Sequence, residues 1–246
     1  MSSFLLQSAD APVSGVQLWT AHLEALSLEE LGELHALLDA GEQARAARFH
    51  FERDRRHYVA AHGLLRRLLG AALDKPASAL VFDHGAQGKP AISPAFVRDR
   101  TLCFNLSHSA GWAMFALAWD CEVGIDLECV NRLKRDDPDG LGALAARVLS
   151  ARELTIWQTL PGTAREAAFL RAWTRKEAYA KATGQGLLDE LMHTDVALDA
   201  AAPKSSLTLR SPRKGEIARD WVLYDLPAPD GFAAAIAVEQ KLAVHA

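Results

Sequence analysis

Asp126 and Glu128 flank Leu127, and in an extended strand residues two apart project from one side, about 6.6 Å apart along the chain. Two hard oxygen ligands so placed can share one divalent cation. Gly124 precedes them on the same side and is expected to leave room for a bulky anion. Magnesium favours that arrangement of one or two carboxylates, several waters and substrate phosphates. The competing reading is an acidic strand edge facing water. Further along, Trp173-Thr174-Arg175-Lys176-Glu177-Ala178-Tyr179-Ala180-Lys181 reads as helix, with Glu177 and Lys181 one turn apart. They form either an exposed i, i+4 ion pair, or a third carboxylate beside lysines that hold an anion ahead of Gly184-Gln185-Gly186.

In Phe104-Asn105-Leu106-Ser107-His108-Ser109 a histidine stands between two hydroxyls. It can donate to a phosphate oxygen or act as acid or base near neutral pH, and the alternative is a solvated turn. Gly88-Lys89-Pro90 lacks the second glycine and the hydroxyl of a P-loop and reads as a turn. Arg45, Arg48, Arg53, Arg55, Arg56, Arg66 and Arg67 crowd one stretch. Guanidinium forks bind phosphate well, although such a stripe also suits a solvated helix face. Glu153 is either a supporting carboxylate or a charge favoured by the dipole at a helix start.

These residues need elements to hold them. Residues 1–19 end in an extended stretch, Val16-Gln17-Leu18-Trp19. Ser27 with Glu30 is a capping-box signature, and Leu28, Leu31, Leu34 and Leu38 repeat at helical spacing until Gly41. Helical patterning resumes from Glu42 to about Leu73, broken near Asp54, with Phe49, Tyr58, Leu64, Leu65, Leu68 and Leu69 expected inside. Leu80 to Phe82 reads as a short strand, and His84 to Pro90 as loop. Strands are expected at 102–106 and 112–119, with Ser107 to Gly111 as their turn, and at 121–127. In that last strand Val123, Ile125 and Leu127 face a core, opposite an acidic side. Residues 130–140 read as a connecting loop, 141–159 and 164–182 as helices, the second opened by Thr163 with Glu166 and closed by Gly184. Strands return at 207–209, 221–224 and 232–238.

The chain has 246 residues, half of them hydrophobic and 24% charged, which is a globular composition. A net charge of −4 disfavours a nucleic-acid partner held by phosphate electrostatics. Cys103, Cys121 and Cys129 make no C-x-x-C pair, and their odd number fits a reducing, cytoplasmic setting. Neither a basic leader nor an apolar run of membrane-spanning length is evident, so no membrane association is expected.

In order along the chain, Arg48-Phe49-His50-Phe51-Glu52-Arg53-Asp54, Gly88-Lys89-Pro90, Phe104 to Ser109, Val123-Gly124-Ile125-Asp126-Leu127-Glu128, and Trp173-x-x-Lys176-Glu177-Ala178-x-x-Lys181 with Gly184-x-Gly186 resemble the motifs of a 4′-phosphopantetheinyl transferase. The type is the large, pseudo-dimeric one that activates surfactin synthetase. The resemblance covers about residues 42 to 190 and implies an α+β fold of two similar halves, residues 1–120 and 121–246. Each half would be an antiparallel sheet packed with a long helix, related by a pseudo-twofold axis with the active site in the cleft between them.

The implied reaction moves the phosphopantetheine arm of coenzyme A to a serine of an apo acyl or peptidyl carrier protein, releasing adenosine 3′,5′-bisphosphate. The resemblance makes Asp126, Glu128 and Glu177 the ligands of Mg²⁺. Glu177, Lys181 and His108 are the catalytic residues, with Glu177 as general base unless a water relay or Glu153 shares that task. Arg45, Arg53, Lys89, Ser107, His108, Lys176 and Lys181 are assigned to coenzyme A, with Arg45, Arg53 and Lys89 near its 3′-phosphate. A monomer is expected. Glu42 departs from the pattern, since some relatives carry a basic residue there. The alternative of another class is a non-catalytic module of the same fold that binds carrier proteins.

Overall fold

Two reciprocal caps set the start of the chain's helical layer. Ser27 Oγ accepts from the Glu30 amide and Glu30 Oε2 accepts from the Ser27 amide, at 3.2 and 2.9 Å, which starts α1 at Leu28–Leu37. Asp39 and Glu42 repeat the device at 2.9 and 3.1 Å and start α2 at Ala40–Ala46. Each cap satisfies amides that the first helical turn leaves without a partner. Gly41 therefore lies inside a helix rather than ending one. The break expected near Asp54 falls at residues 47–51 instead, and Asp54 sits in the first turn of α3, Glu52–Leu73.

The computed structural model describes residues 6–85, 88–97, 99–130, 140–184, 194–199, 204–208 and 220–240. The chain is α+β and divides into two compact units, Met1–Asp120 and Cys121–Ala246. In the first unit, β1 (Gln7–Ala9), β2 (Val16–His22), β5 (Leu102–Ser109) and β6 (Trp112–Trp119) form an antiparallel sheet in the order β1-β2-β6-β5. A separate ribbon pairs β3 (Phe82–His84) with β4 (Pro90–Ile92). Ala60, Ala61, Leu64, Leu65 and Leu69 of α3 share one core with Phe104, Phe115 and Leu117 of the sheet. Each large side chain so buried contributes about 1.5–3 kcal/mol. Phe49, expected inside, is 37% exposed.

Ala110 and Gly111 both have positive φ, 43° and 84°, and make the two-residue turn that suits the twist of a hairpin. Ser107, His108 and Ser109 are consequently strand rather than turn. The hydroxyl-rich composition that suggested a turn belongs to the last three residues of β5.

In the second unit β7 (Val123–Cys129) leads a sheet of order β7-β10-β9-β8, with β8 at Lys204–Thr208, β9 at Asp220–Leu226 and β10 at Phe232–Gln240. The stretch read as one helix over 141–159 is two, α4 (Gly140–Val148) and α5 (Ala151–Thr159), divided by a capping box of Ser150 and Glu153. Helix α6, Gly162–Thr183, follows Pro161 with no side-chain cap, so Thr163 and Glu166 do not open it; Gly184 closes it with φ 66°. Phe169, Ala172, Tyr179 and Ala182 of α6 pack with Trp221, Leu223, Ala235 and Ala237 of the sheet. Residues 131–139 and Gly186 lie outside the described residues. No helix among the described residues is long and apolar enough to cross a membrane.

Candidate active site

Strand β7 is buried on both faces: Val123, Ile125 and Leu127 are inside, and so are Gly124 and Asp126. The side that carries Gly124 and Asp126, for which an edge facing water was the competing reading, is covered by helix α6. A Cβ at residue 124 would lie 2.1 Å from the Ala178 carbonyl oxygen and 2.3 Å from the Ala182 nitrogen. The space left by the missing side chain is therefore filled by helix backbone, and the room expected there for an anion does not exist. What Gly124 secures is a close approach of α6 to β7.

That approach brings Lys181 to Asp126, with Nζ 2.6 Å from Oδ1. Asp126 is 2% exposed. Glu177, one turn before Lys181, is buried, and its Oε1 accepts no hydrogen bond. Burial, followed by the negative charge of Asp126, pushes the Glu177 carboxyl up to about 7 against the opposing pull of Lys181, and Glu128 adds to the rise. Two carboxylates that both repel a third, which has an orphaned buried oxygen, are hard oxygen donors of the kind suited to a magnesium-type cation. Among the described residues no three metal-ligating side chains already converge on one point.

Lys176 and Glu153 are held elsewhere. Lys176 is fully buried, and its Nζ donates to Glu153 Oε2 at 2.6 Å and to the Val148 carbonyl at 2.9 Å. Burial lowers the Lys176 ammonium below the ordinary lysine range, opposed by Glu153. Glu153 also accepts from the amides of Ser150 at 2.7 Å and Val196 at 2.6 Å. A carboxylate with three donors is committed to structure and is poorly placed to take a substrate proton. Lys176 thus steadies the helix that carries Glu177 rather than reaching a phosphate. Next to it, fully buried Arg175 donates to Asp225 Oδ1 at 2.7 Å and to the Ala197 carbonyl at 2.6 Å.

The first unit contains a cavity of about 450 Å³. Arg45, Arg48, Tyr58, His62, His84 and His108 line it, with Gly88 and Pro90 at the β3–β4 ribbon. Lys89 lies between those two residues in sequence, and its carbonyl accepts from the Gly85 amide at 2.9 Å. His108 lines the cavity together with Phe104, Asn105 and Leu106 of the same strand, and Ser107 does not. Arg53 is likewise elsewhere. It stands five residues before Tyr58 on α3, about 140° round the helix, pairs with Asp54 at 3.1 Å and lines a separate cavity of about 290 Å³.

Charge pairing singles out the anion-binding groups. Arg55, Arg66 and Arg67 have carboxylate partners at 2.6–2.7 Å. Arg66 is entirely buried between Asp39 and Glu42 and also donates to the carbonyls of Ala77 and Leu80. Arg45 and Arg48 face the cavity and make no ion pair among the described residues. Arg45 was assigned through the family resemblance, whereas Arg48 opens the first quoted motif and belongs to the arginine-rich stretch without a role of its own. Arg48 lies in the turn that follows α2, three residues beyond Arg45, and His62 belongs to none of the motifs.

Comparison with known proteins agrees with this geometry. Residues 122–237 match a model of the 4′-phosphopantetheinyl transferase superfamily, and residues 25–119 match one of the 4′-phosphopantetheinyl transferase N-terminal region. The chain is 37% identical over 223 residues to the 4′-phosphopantetheinyl transferase HetI of Nostoc sp., covering 91% of this chain and 87% of that one. It is 30% identical over 161 residues to the 4′-phosphopantetheinyl transferase psf-1 of Bacillus pumilus, covering 65% and 63%. It is also 24% identical over 207 residues to the human L-aminoadipate-semialdehyde dehydrogenase-phosphopantetheinyl transferase, covering 81% and 66%. With two matching regions that together span most of its length, the chain belongs to the 4′-phosphopantetheinyl transferase superfamily.

Proposed function

We propose that this transferase moves the phosphopantetheine arm of coenzyme A to a serine hydroxyl of an apo acyl or peptidyl carrier protein, in a Mg²⁺-dependent reaction that releases adenosine 3′,5′-bisphosphate. The observation that carries the reading is the Glu177–Asp126–Lys181 group on α6 and β7, with a buried carboxylate oxygen that has no donor. Asp126, Glu128 and Glu177 would hold the cation. When bound, it would supply positive charge that neutralises the pyrophosphate and the charge growing on the leaving group.

The residues divide the remaining work. The serine oxygen forms a bond to the phosphorus that bears the pantetheine arm, and the bond from that phosphorus to the bridging oxygen breaks. The oxygen and its electron pair leave with the adenosine phosphate. Glu177 Oε1 is suited to take the serine proton. Lys181, 30% exposed while bonded to Asp126, offers its ammonium to the phosphates. Arg45, Arg48 and His108 fit the anionic end of the donor, with Lys89 at the cavity rim. A pseudo-twofold relation of the halves and a monomeric, cytoplasmic enzyme belong to the same proposal, supported by the family resemblance.

Quantifying adenosine 3′,5′-bisphosphate after incubation with coenzyme A, Mg²⁺ and an apo acyl carrier protein tests the chemistry. One bisphosphate per carrier is expected, and none with a chelator. Release that the chelator leaves untouched contradicts the metal assignment.

A further inference from the structure

His62 is fixed on two sides. Its ring stacks on Tyr58, with centroids 4.0 Å apart and an interplanar angle of 29°, and its Nδ1 lies 3.4 Å from Glu42 Oε1. That pairing assigns the Nδ1 proton to the Glu42 side. The ring lines the 450 Å³ cavity, and its Nε2 makes no hydrogen bond among the described residues. The arginine Cζ of Arg45 stands 5.6 Å from the centroid of the same Tyr58 ring. An arginine and a histidine are thus organised around one tyrosine, with Arg48 on the same cavity wall.

The acidic groups on this wall are already matched. Asp39 bonds Arg66 at 2.7 Å, and Glu42 bonds it at 2.6 Å. Glu42 is therefore turned toward Arg66 and His62. His62 lines the cavity from the neighbouring helix, and Glu42 fixes its orientation.

We propose that His62 is a phosphate-binding residue of the donor cavity, contacting the 3′-phosphate of coenzyme A through Nε2 beside Arg45 and Arg48, and that it sets the preference for coenzyme A over its 3′-dephospho form. The inference rests on the reading of this cavity as the donor site. Charge-assisted hydrogen bonds to phosphate are about twice as strong as neutral ones and depend on geometry. The stack on Tyr58 and the bond to Glu42 provide that geometry before the ligand arrives, which lowers the cost of ordering it.

Calorimetric titration of the full chain with coenzyme A and with 3′-dephospho-coenzyme A, in the presence of Mg²⁺, tests this. His62→Phe keeps the ring stack and removes the nitrogens, and His62→Gln keeps a neutral donor. The expected result is that the wild type prefers coenzyme A. His62→Phe weakens coenzyme A binding by about tenfold, within the range for a lost charge-assisted bond, and His62→Gln by less. Binding of the dephospho form should change less than twofold in both. Equal weakening of the two donors would reduce His62 to a wall residue and overturn the proposal, as would unchanged binding of both. A wild type that transfers from coenzyme A to a carrier yet binds the two donors equally overturns this inference alone. A wild type that binds neither donor removes the donor-site reading with it.

Discussion

The position of a Cβ on residue 124 would fall 2.1 Å from the carbonyl oxygen of Ala178, so the strand that carries Asp126 and the helix that carries Glu177 meet backbone to backbone. This contact explains a glycine between two buried apolar residues. It also places two acidic side chains from different elements in one another's field.

Gly124→Ala should therefore damage the fold rather than only the chemistry. Ordinary contact begins near 3.4 Å, and the atoms in the way are backbone, which cannot rotate aside. Helix α6 would have to retreat by more than 1 Å. Overpacking of a dense interior costs about 1–3 kcal/mol and more where nothing yields. Denaturant unfolding of the variant should show at least that loss, and a midpoint equal to wild type would contradict the close approach.

Glu177→Gln should separate metal binding from stability. The substitution removes a buried charge that Asp126 and Glu128 oppose, so the metal-free variant should melt at or above the wild-type temperature. Mg²⁺ should raise the melting temperature of the wild type by binding the folded state, and should leave the variant unmoved. A variant that Mg²⁺ stabilises as much as wild type removes Glu177 from the metal site. Asp126→Asn should abolish transfer with far-ultraviolet circular dichroism unchanged.

Glu153→Ala strands the Lys176 ammonium in the interior and orphans the Ser150 and Val196 amides. Breaking a buried pair in this way costs about 3–5 kcal/mol. The cost should show in equilibrium unfolding, and a loss below about 1 kcal/mol would mean that the pair behaves as an exposed one.

Acid should act through Glu42. Burial works to raise its carboxyl, but the His62 hydrogen bond and the Arg66 guanidinium outweigh it and hold Glu42 below 4.5. A carboxylate with a depressed folded-state pKa adds stability above its unfolded value, and that stability is lost as pH falls through the folded one. Glu42→Gln should thus be less stable than wild type at neutral pH, with the gap narrowing as the pH falls below 4.5. A gap that stays constant down to about pH 3 would contradict the Arg66–Glu42 pairing.

Much of this was legible in the residues. The Ser27–Glu30 box is a local rule that tertiary packing did not override, and alternation in β7 set which residues share a side, although α6 covers the side that carries Asp126. The charge of Asp126 raises the Glu177 carboxyl, so these two motif acids lie in one another's field. Other features depend on partners distant in sequence. Lysine is rarely buried without a partner, so nothing local showed Lys176 paired with Glu153 inside the second unit, or Arg66 between Asp39 and Glu42. Ser107 to Ser109 carried turn composition, yet positive φ at Ala110 and Gly111 made the turn. Arg53 lay in a motif but lines a different cavity from Tyr58 and His62 of the same helix, whereas His62 lay outside every motif, and only the cavity disclosed it.

The central claim is best tested by intact-mass spectrometry of apo carrier proteins incubated with the purified enzyme, coenzyme A and Mg²⁺. A chelator and a carrier whose acceptor serine is alanine serve as controls. The account predicts a gain of one phosphopantetheine on the serine carrier, lost in both controls and with Asp126→Asn or Glu177→Gln. A gain that survives the chelator and both substitutions would contradict the site described, and no gain on fatty-acid, polyketide or peptide-synthetase carriers would contradict the proposed reaction.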